Sequence, residues 1–349
     1  MNGARSGVAV MALAVIGAGV SASPAQAETA SCTPGVWTQQ PANVLAAMGT
    51  GTLYADTIAS PTLAWAVGDY FNSSTQAYGD VIERWTGGSS WSVVGTGDPN
   101  VNLYDVTSFG PSSAFAVGVG GANGDLPLVT EWNGSNWHRT LLPRVHNYDT
   151  LYTVSGSSST NVWAAGDYFI DNVNYILLEH FNGTRWAQVS IPASLDPVAD
   201  AVGVVALSPT DVWVIGATIG TDNVWHFENG TWSEGLAPVF GTLAGTSDTN
   251  IYGIHAYDLS SSLEHWNGST WAQVGRTLAA FMPGLTLGSA GVWSAGQSNT
   301  SGLIAIARNG VLVKTPPVNG VVNGIATGSG IALAVGGGPS QPFGLESCD

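Results

Sequence analysis

The sequence predicts an all-β fold, a ring of seven four-stranded blades, and three observations lead to it. A phrase of about 40 to 50 residues recurs along the chain: small polar residues, V-W-A-V-G, a variable segment, and L-x-E-H-W-N-G-x-x-W. The chain has 46 Gly and 14 Trp but only 9% charged residues, which excludes a coiled coil or a long helical bundle. Its 44% hydrophobic content is enough for a large core and argues against disorder.

The number of repeats can be counted from the apolar-Gly element of the phrase. Its leading residues are spaced by 50, 48, 50, 39, 41 and 40 positions: Trp65, Phe115, Trp163, Trp213, Tyr252, Trp293 and Leu333. One strand-like run precedes each element, and two more strands follow it across an Asn-Gly turn, which suits a two-residue hairpin with positive φ at both residues. Four antiparallel strands in a unit of this length describe one blade of a seven-bladed β-propeller.

The seventh blade is predicted to be shared between the two ends of the chain. Residues 343–348 resemble the third strand of a blade, and its outer strand is missing at the C-terminus. Residues 35–41 resemble the outer strand of blade 3, so we expect the N-terminal segment to complete the ring. This register brings Cys32 and Cys348 onto adjacent strands, and a disulfide between them is predicted to staple the ring.

The first 27 residues are expected to be a signal peptide. A short positive region is followed by an apolar run at residues 8–20 and by an A-x-A cleavage site at residues 25–27. Residues 28–349 are then one secreted β-propeller domain, which we expect to be a monomer. No later stretch reaches the roughly 18 uninterrupted apolar residues of a membrane span.

The net charge of the chain limits which classes of partner it can bind. Eight Lys and Arg stand against 24 Asp and Glu, for a net charge of −16. Such a chain repels phosphate, so nucleic acids and anionic membranes are poor partners.

A family resemblance supports the same architecture. The unit at residues 157–192, SSSTNVWAAGDYFIDNVNYILLEHFNGTRWAQVSIP, resembles the repeats of secreted bacterial β-propellers of the kelch-like or BNR-like kind. The resemblance covers the whole mature chain. The GTRW segment also resembles the tail of an Asp-box hairpin, although Glu179 and Phe181 stand where that motif has Ser and Asp. The resemblance implies architecture and leaves function open, because propellers host many unrelated activities.

Signals of established catalytic centres are missing from the sequence. The six His form no metal-ligand spacing, and no G-x-S-x-G nucleophile elbow occurs. Side chains repeated in every blade, such as Trp163, Trp213 and Glu83, are expected to be structural, because a single site needs asymmetry. The protein is therefore expected to be a binding protein rather than an enzyme.

The candidate site lies in the first three repeats, which are longer than the next three. Their extra length is predicted to form loops on one rim, after the second strand of a blade and between blades. The residues chosen for binding are Asp69, Tyr70, Asn100, Asn102, Tyr104, His146, Tyr148, Asp149, Asp167 and Tyr168. Aromatic faces with amides and carboxylates suit neutral sugars, but ordinary turn-forming loops have the same composition.

The sequence thus predicts a secreted, non-enzymatic protein that binds a glycan or an extracellular protein through the rim of blades 1–3. One alternative is a polysaccharide hydrolase or lyase, in which Asp69 and Asp167 flank the scissile bond at about 5–9 Å from each other. A second alternative is a structural scaffold without a small ligand.

No cofactor is expected, although one segment begins like a calcium loop. Asp98, Asn100 and Asn102 follow the alternating spacing of such a loop. Leu103 stands where the loop needs Gly and Phe109 where it needs Glu, so any calcium site would have a looser geometry.

Overall fold

The repeat phrase folds as a sheet of four antiparallel strands, because its alternating Val, Trp, Leu and Ala side chains can be buried on both faces. The computed structural model describes residues 37–41, 50–74, 76–88, 90–195, 198–218, 221–239, 241–257, 260–298, 301–337 and 342–348. These residues belong to one compact unit, Thr33–Asp349. They form seven sheets, which confirms the predicted seven-bladed β-propeller.

The strands follow one another blade by blade. Strand β1 (Thr38–Pro41) belongs to the last blade, and blades 1 to 3 contain β2 (Thr50–Ser60), β3 (Leu63–Asn72), β4 (Ala77–Trp85), β5 (Trp91–Pro99), β6 (Asn102–Ser108), β7 (Ala114–Gly120), β8 (Leu126–Trp132), β9 (Trp137–Leu141), β10 (Asn147–Ser158), β11 (Asn161–Ile170), β12 (Val173–Phe181) and β13 (Trp186–Val189). Blades 4 to 7 contain β14 (Asp200–Ser208), β15 (Asp211–Thr218), β16 (Thr221–Glu228), β17 (Thr231–Leu236), β18 (Leu243–Ser247), β19 (Asn250–Tyr257), β20 (Ser260–Trp266), β21 (Trp271–Leu278), β22 (Phe281–Gly288), β23 (Gly291–Ser298), β24 (Ser301–Arg308), β25 (Val311–Lys314), β26 (Val318–Asn319), β27 (Val321–Gly328), β28 (Ile331–Gly337) and β29 (Pro342–Cys348). Among the described residues, no helix is long and apolar enough to cross a membrane.

The ring closes through a shared blade, as the sequence predicts. Strand β1 pairs antiparallel with β29, from Thr38 opposite Glu346 to Pro41 opposite Phe343. The Asn323 side-chain amide also donates to the Leu53 backbone oxygen at 2.9 Å, which joins blade 7 to blade 1 beside the channel. The start of β1 and the end of β29 lie at the same end of this pair. Cys32 lies outside the described residues and the Cys348 side chain is not described, so the disulfide stays a prediction.

A β-bulge in the innermost strand explains the glycine of the repeated V-W-A-V-G element. In blade 1 the register passes from Leu53 opposite Gly68 to Ala55 opposite Val67, so Tyr54 has no residue opposite it. A Cβ atom on Gly68 would lie 1.9 Å from the Thr52 backbone oxygen, so only glycine fits there. Bulges at the same place in blades 2, 3, 4, 6 and 7 repeat this geometry.

The predicted two-residue Asn-Gly turns form in blades 4 and 6 only. There both turn residues have positive φ: Asn229 and Gly230, and Asn309 and Gly310. Blades 2, 3 and 5 instead use a four-residue connection, in which the asparagine side chain accepts backbone N–H groups further along, as Asn182 does from Thr184 and Arg185.

The position of Asn-Gly within the connection decides between the two turns. Phe181 opposes Trp186 in blade 3 and Phe227 opposes Trp232 in blade 4, with four residues between the aromatics in both cases. In blade 3 Asn-Gly opens this connection, and in blade 4 it stands one position later. Centred between the strands, Asn-Gly closes the tight hairpin; displaced by one residue, it cannot.

The core lies between blades and uses the repeated aromatics. Trp163 and Trp213 are 2% and 5% exposed, and they stack on His180 and His226 with ring centroids 4.3 and 4.0 Å apart. Trp163 packs with residues of blade 4, such as Val204 and Val212, in one apolar cluster. The tryptophans therefore lie where the sequence places them, in the packing between neighbouring blades.

Candidate functional site

The innermost strands of all seven blades surround a central cavity of about 570 Å³. The bulge described above turns one residue of a strand into this cavity. In blades 1 to 3 that residue is a tyrosine, and in blades 4, 6 and 7 it is a smaller side chain: Tyr54, Tyr104, Tyr152, Val202, Pro283 and Asn323. The cavity therefore has an aromatic side formed by blades 1 to 3.

The three tyrosines form a continuous surface, here called the tyrosine arc (Tyr54, Tyr104 and Tyr152). The ring centroids of Tyr54 and Tyr104 are 5.9 Å apart, and those of Tyr104 and Tyr152 are 5.6 Å apart. The rings are tilted by 49° and 43° rather than stacked face to face. Tyr152 is 39% exposed, so part of this surface is open to a ligand.

The aspartates of the two Gly-Asp-Tyr-Phe segments hold the outer tyrosines of the arc. The Tyr54 hydroxyl donates to Asp69 Oδ2 at 3.1 Å. In blade 3, Asp167 occupies the register position of Asp69 and lies close enough to Tyr152 for its charge to raise the pKa of that tyrosine. Blade 2 has Val119 at this position, and there the Asn102 amide donates to the Tyr104 hydroxyl at 3.3 Å. Each tyrosine thus has its own polar support.

A pair of carboxyl groups lies behind Tyr152. Burial, and then the charge of the neighbouring Asp200, raise the pKa of Asp167 to about 7. A neighbouring carboxylate disfavours the ionised form of Asp167, so Asp167 is partly protonated near neutral pH. Asn174 donates its amide to Asp200. Burial, followed by the charge of Asp167, raises the pKa of Tyr152 to about 12.

Two further aspartates line the cavity in blades 1 and 2. Asp105 accepts the Val106 and Val154 N–H groups, each at 2.8 Å, and burial raises its pKa to about 6. Burial, and then the charge of Asp105, raises the pKa of Asp56 well above its usual value. Asp56 is only 8% exposed, and neither of its carboxyl oxygens has a hydrogen-bond partner among the described residues.

The rim loops predicted after the second strands of blades 1 and 3 are strands in the structure. Asp69 and Tyr70 lie within β3, Asp167 and Tyr168 within β11, and Tyr148 near the start of β10. The extra length of blades 1 and 3 therefore extends their hairpins instead of forming loops.

The predicted residues separate into two groups. Asp69, Asn102, Tyr104 and Asp167 meet around the tyrosine arc, as described above. The second group lies on blade 3: His146 stacks on Tyr168 at 5.1 Å, and Asp149 accepts the His146 N–H at 3.1 Å. Tyr148 is 68% exposed beside them.

Two predicted residues lie elsewhere. Tyr70 is 5% exposed and packs in the apolar cluster between blades 1 and 7, so its ring is not available to a ligand. This corrects the expectation that it stacks on a sugar: successive side chains of a strand point to opposite faces, so Asp69 and Tyr70 cannot face the same site. Asn100 has a positive φ of 65° and donates its amide to the Ala122 backbone oxygen at 3.1 Å.

The calcium expectation is only partly covered by the structure. The amide groups of Asn100 and Asn102 donate to other oxygens, and the side chain of Asp98 is not described. Within the described part of the chain, no group of three or more His, Cys, Asp or Glu side chains is placed to hold a metal ion.

Sequence reasoning missed several aromatic and acidic residues of the cavity and its surroundings. The missed set consists of Tyr54, Asp56, Asp105, Tyr152 and Asp200. A signal for the tyrosines was present, because Leu-Tyr occurs in the first strand of blades 1, 2 and 3 and of no other blade. The aspartates had no such signal, since their neighbours come from other blades.

Comparison with known proteins identifies the fold. No family model matches the chain, and no curated protein matches it. Among solved structures, YCF48 bound to D1 peptide is similar over 90% of this chain and 95% of its own, with 14% identity and a TM-score of 0.59. The fucose-specific lectin from Aleuria aurantia is similar over 78% of this chain and 97% of its own, with 14% identity and a TM-score of 0.55.

Another structure of the Aleuria aurantia lectin is described as a six-bladed β-propeller and has a TM-score of 0.54 at 14% identity, over 77% of this chain and 96% of its own. At such low identity these similarities establish the β-propeller fold alone. The more specific kelch-like or BNR-like resemblance has no support from a family model.

Proposed function

We propose that this protein is a secreted, non-enzymatic saccharide-binding protein whose site is the tyrosine arc in the central cavity. The observation that carries the proposal is the arc itself. On one side of an open cavity lie three tyrosine rings, and the centroids of neighbouring rings are less than 6 Å apart. The apolar C–H face of a sugar ring stacks on such rings, and its hydroxyl groups need polar partners beside them.

The polar partners are supplied by the same blades. Asp69, Asn102 and Asp167 support the three tyrosine hydroxyls, which keeps the rings in place before a ligand arrives. A preorganised surface loses little side-chain entropy on binding, so more of the contact energy remains as affinity.

The similar solved propellers agree with a binding role in general terms. One is described as a fucose-specific lectin and another as bound to a peptide. We favour a saccharide over a peptide because the described cavity wall combines aromatic rings with short polar side chains.

A glycan array with the purified protein tests the proposal, followed by calorimetric titration of the best ligand. Tyr54→Ala and Tyr152→Ala should each weaken binding about five-fold or more, since stacking contributes on the order of 1 kcal/mol. Tyr148→Ala is the matched control, because Tyr148 is a more exposed tyrosine of the blade 3 surface group. If Tyr148→Ala removes binding and the arc variants keep it, the site is on the blade 3 surface and not in the cavity.

A hydrolase or lyase remains the second candidate, and one observation favours it. Burial, and then the neighbouring Asp200, raise the pKa of Asp167 to about 7, so Asp167 could donate a proton at neutral pH. Incubation of the array ligand with the protein, with product detection by mass spectrometry, separates the two functions. Turnover that is lost in Asp167→Asn while binding survives would establish an enzyme. Unchanged ligand after long incubation supports the binding protein.

A further inference from the structure

The cavity holds an acid that the propeller frame does not require. Asp56 lies opposite Ala66, the residue after the repeated Trp65. At the same register position blades 2, 3, 4, 6 and 7 carry aliphatic residues: Val106, Val154, Val204, Leu285 and Ile325. A carboxyl group at this position is therefore a special feature of blade 1.

The neighbouring blade leaves room for this carboxyl group. A Cβ atom on Gly324 of blade 7 would lie 2.8 Å from Asp56 Oδ1, so a side chain there would displace the acid. The Ala326 N–H faces the carboxyl group and offsets part of the effect of burial on its pKa, but it forms no hydrogen bond within normal geometry. Asp56 is thus accommodated without being neutralised by a protein partner.

Among the described residues that line the cavity, none carries a positive charge that could pair with Asp56. The described residues that line it include two aspartates, Asp56 and Asp105, and no Lys, Arg or His. Burial favours the neutral form of a carboxyl group without a partner, and a ligand that brings a positive charge would favour its ionised form. A metal ion is a poorer fit, because no third acidic or imidazole ligand is placed beside them in the described part of the chain.

We propose that the cavity binds an amino sugar, with its ring on the tyrosine arc and its ammonium group at Asp56. This inference rests on the proposed saccharide-binding function and narrows its ligand class. An ammonium group has three N–H donors, which suits two carboxyl oxygens that lack donors. Tyrosine faces also attract cations, so the arc and the acid favour the same ligand.

Titration of two matched oligosaccharides tests the ligand class. The glucosamine tetramer carries free ammonium groups, and the N-acetylglucosamine tetramer has the same ring skeleton without them. The purified protein should bind the glucosamine tetramer at least ten-fold more tightly at pH 6. Equal affinity for the two tetramers would overturn the amino-sugar assignment.

Variants of Asp56 test whether its carboxyl group binds the ammonium group. Asp56→Asn, and Asp56→Val, which carries the residue of blades 2 to 4, should each reduce glucosamine-tetramer affinity at least ten-fold and leave N-acetylglucosamine-tetramer affinity unchanged. Asp248→Asn is the matched control for net charge, because Asp248 is exposed on blade 5, and it should bind like the parent. Unchanged binding in both folded Asp56 variants would overturn the assignment.

Two further outcomes separate this inference from the proposed function. If the protein binds other glycans on the array but neither tetramer, the amino-sugar inference fails and saccharide binding stands. If it binds no glycan at all, both fail. Nα-acetyl-lysine amide tests whether the ammonium group comes from a lysine side chain instead of a sugar. If it competes as strongly as the glucosamine tetramer, the ligand is a lysine side chain and the amino-sugar assignment is overturned.

Discussion

Blades 1 to 3 and blades 4 to 7 share one backbone frame but present different chemistry to the central cavity. Both regions have four-stranded sheets, buried aromatics in the repeated element and bulged inner strands. At the bulge, the first region has tyrosines, whereas the second has residues such as Val202 and Asn323.

The two regions also differ in their buried acids. Among the described residues, the acids with a raised pKa in blades 1 to 3 are Asp56, Asp69, Glu83, Asp105, Asp149, Asp167 and Glu179. In blades 4 to 7 the corresponding acid is Glu264, which accepts the Ser262 hydroxyl at 2.7 Å. The second region shows what a blade needs in order to fold. Glu83 and Glu179 stand at the same repeat position as Glu264. The other acids and the tyrosines of the first region are therefore the part of the molecule that folding does not explain.

The frame common to both regions should be most sensitive where the ends of the chain meet. Reduction, or Cys348→Ser, should lower the thermal midpoint without changing the far-ultraviolet spectrum of the folded protein. Closing a loop of this length is worth roughly 5 kcal/mol at most in the chain-entropy model. The variant and the reduced parent should agree in differential scanning calorimetry. An unchanged midpoint on reduction would show that β1 and β29 hold the ring without a disulfide.

The repeated tryptophans should contribute equally in the two regions. Trp163→Ala in blade 3 and Trp213→Ala in blade 4 should each lower the free energy of unfolding by about 3–5 kcal/mol, because each leaves a cavity between blades. Urea denaturation measures the loss. A variant that keeps full stability but loses ligand binding would show that its tryptophan belongs to a site.

The buried acids should make blades 1 to 3 sensitive to rising pH. Burial raises the pKa of Glu83 to about 8, and neither of its carboxyl oxygens has a hydrogen-bond partner among the described residues. Between the pKa of Glu83 in the unfolded state and its pKa in the folded state, the folded protein binds more protons than the unfolded protein. The stabilising effect is therefore complete at pH values below the unfolded-state pKa, and it is lost as the pH rises towards the folded-state pKa. The slope is about 1.4 kcal/mol per pH unit for one such group.

Unfolding measured from pH 5 to pH 8 checks this sign. The parent should be more stable at pH 5, and Glu83→Gln should flatten the dependence by about one group. Glu264→Gln is the control from the other region, and it should change the slope less because Ser262 already donates to Glu264. A parent that is more stable at pH 8 would contradict the assignment of these acids as buried and protonated.

The smallest expected effect concerns the cavity wall itself. Tyr104→Val introduces the kind of residue that blade 4 has at its bulge, and it should weaken saccharide binding by about 1 kcal/mol through lost stacking. Val202→Ala on the other side should leave affinity unchanged. Calorimetric titration with the best array ligand measures both. Equal losses in the two variants would mean that the ligand contacts the whole ring and not only blades 1 to 3.

The sequence was sufficient for the architecture because the repeat is local. Each blade carries its own strand pattern, its own aromatic and its own glycine, so seven copies could be counted without any knowledge of contacts. Even the exchange of the outer strand in blade 7 was visible, because residues near the N-terminus resemble the strand that is missing at the other end. The prediction of the turns was less accurate, because a shift of Asn-Gly by one residue within the connection changes the type of turn.

The site was predicted less well, because its residues come from different strands and blades. Asp69 and Asp167 were chosen as rim residues, but only the folded hairpins show that Asp69 accepts a hydrogen bond from Tyr54 and that Asp167 lies near Tyr152. Tyr70 follows Asp69 directly and was chosen with it, yet strand alternation buries it on the other face. Asp56 was not chosen, because nothing in the sequence distinguishes it from the other acidic residues among the 24 Asp and Glu.

By itself, the sequence determined an acidic, seven-bladed β-propeller with a chemically distinct first half. The tertiary structure decided which side chains of that half meet. The bulge in each of three inner strands turns Tyr54, Tyr104 and Tyr152 towards one cavity. The approach of Gly324 leaves Asp56 buried, and no described residue forms a hydrogen bond with its carboxyl oxygens. The physical reason is that strand pattern and turn chemistry act between neighbours in the chain. The geometry of the cavity is set by backbone register and by contacts between blades that are distant in sequence.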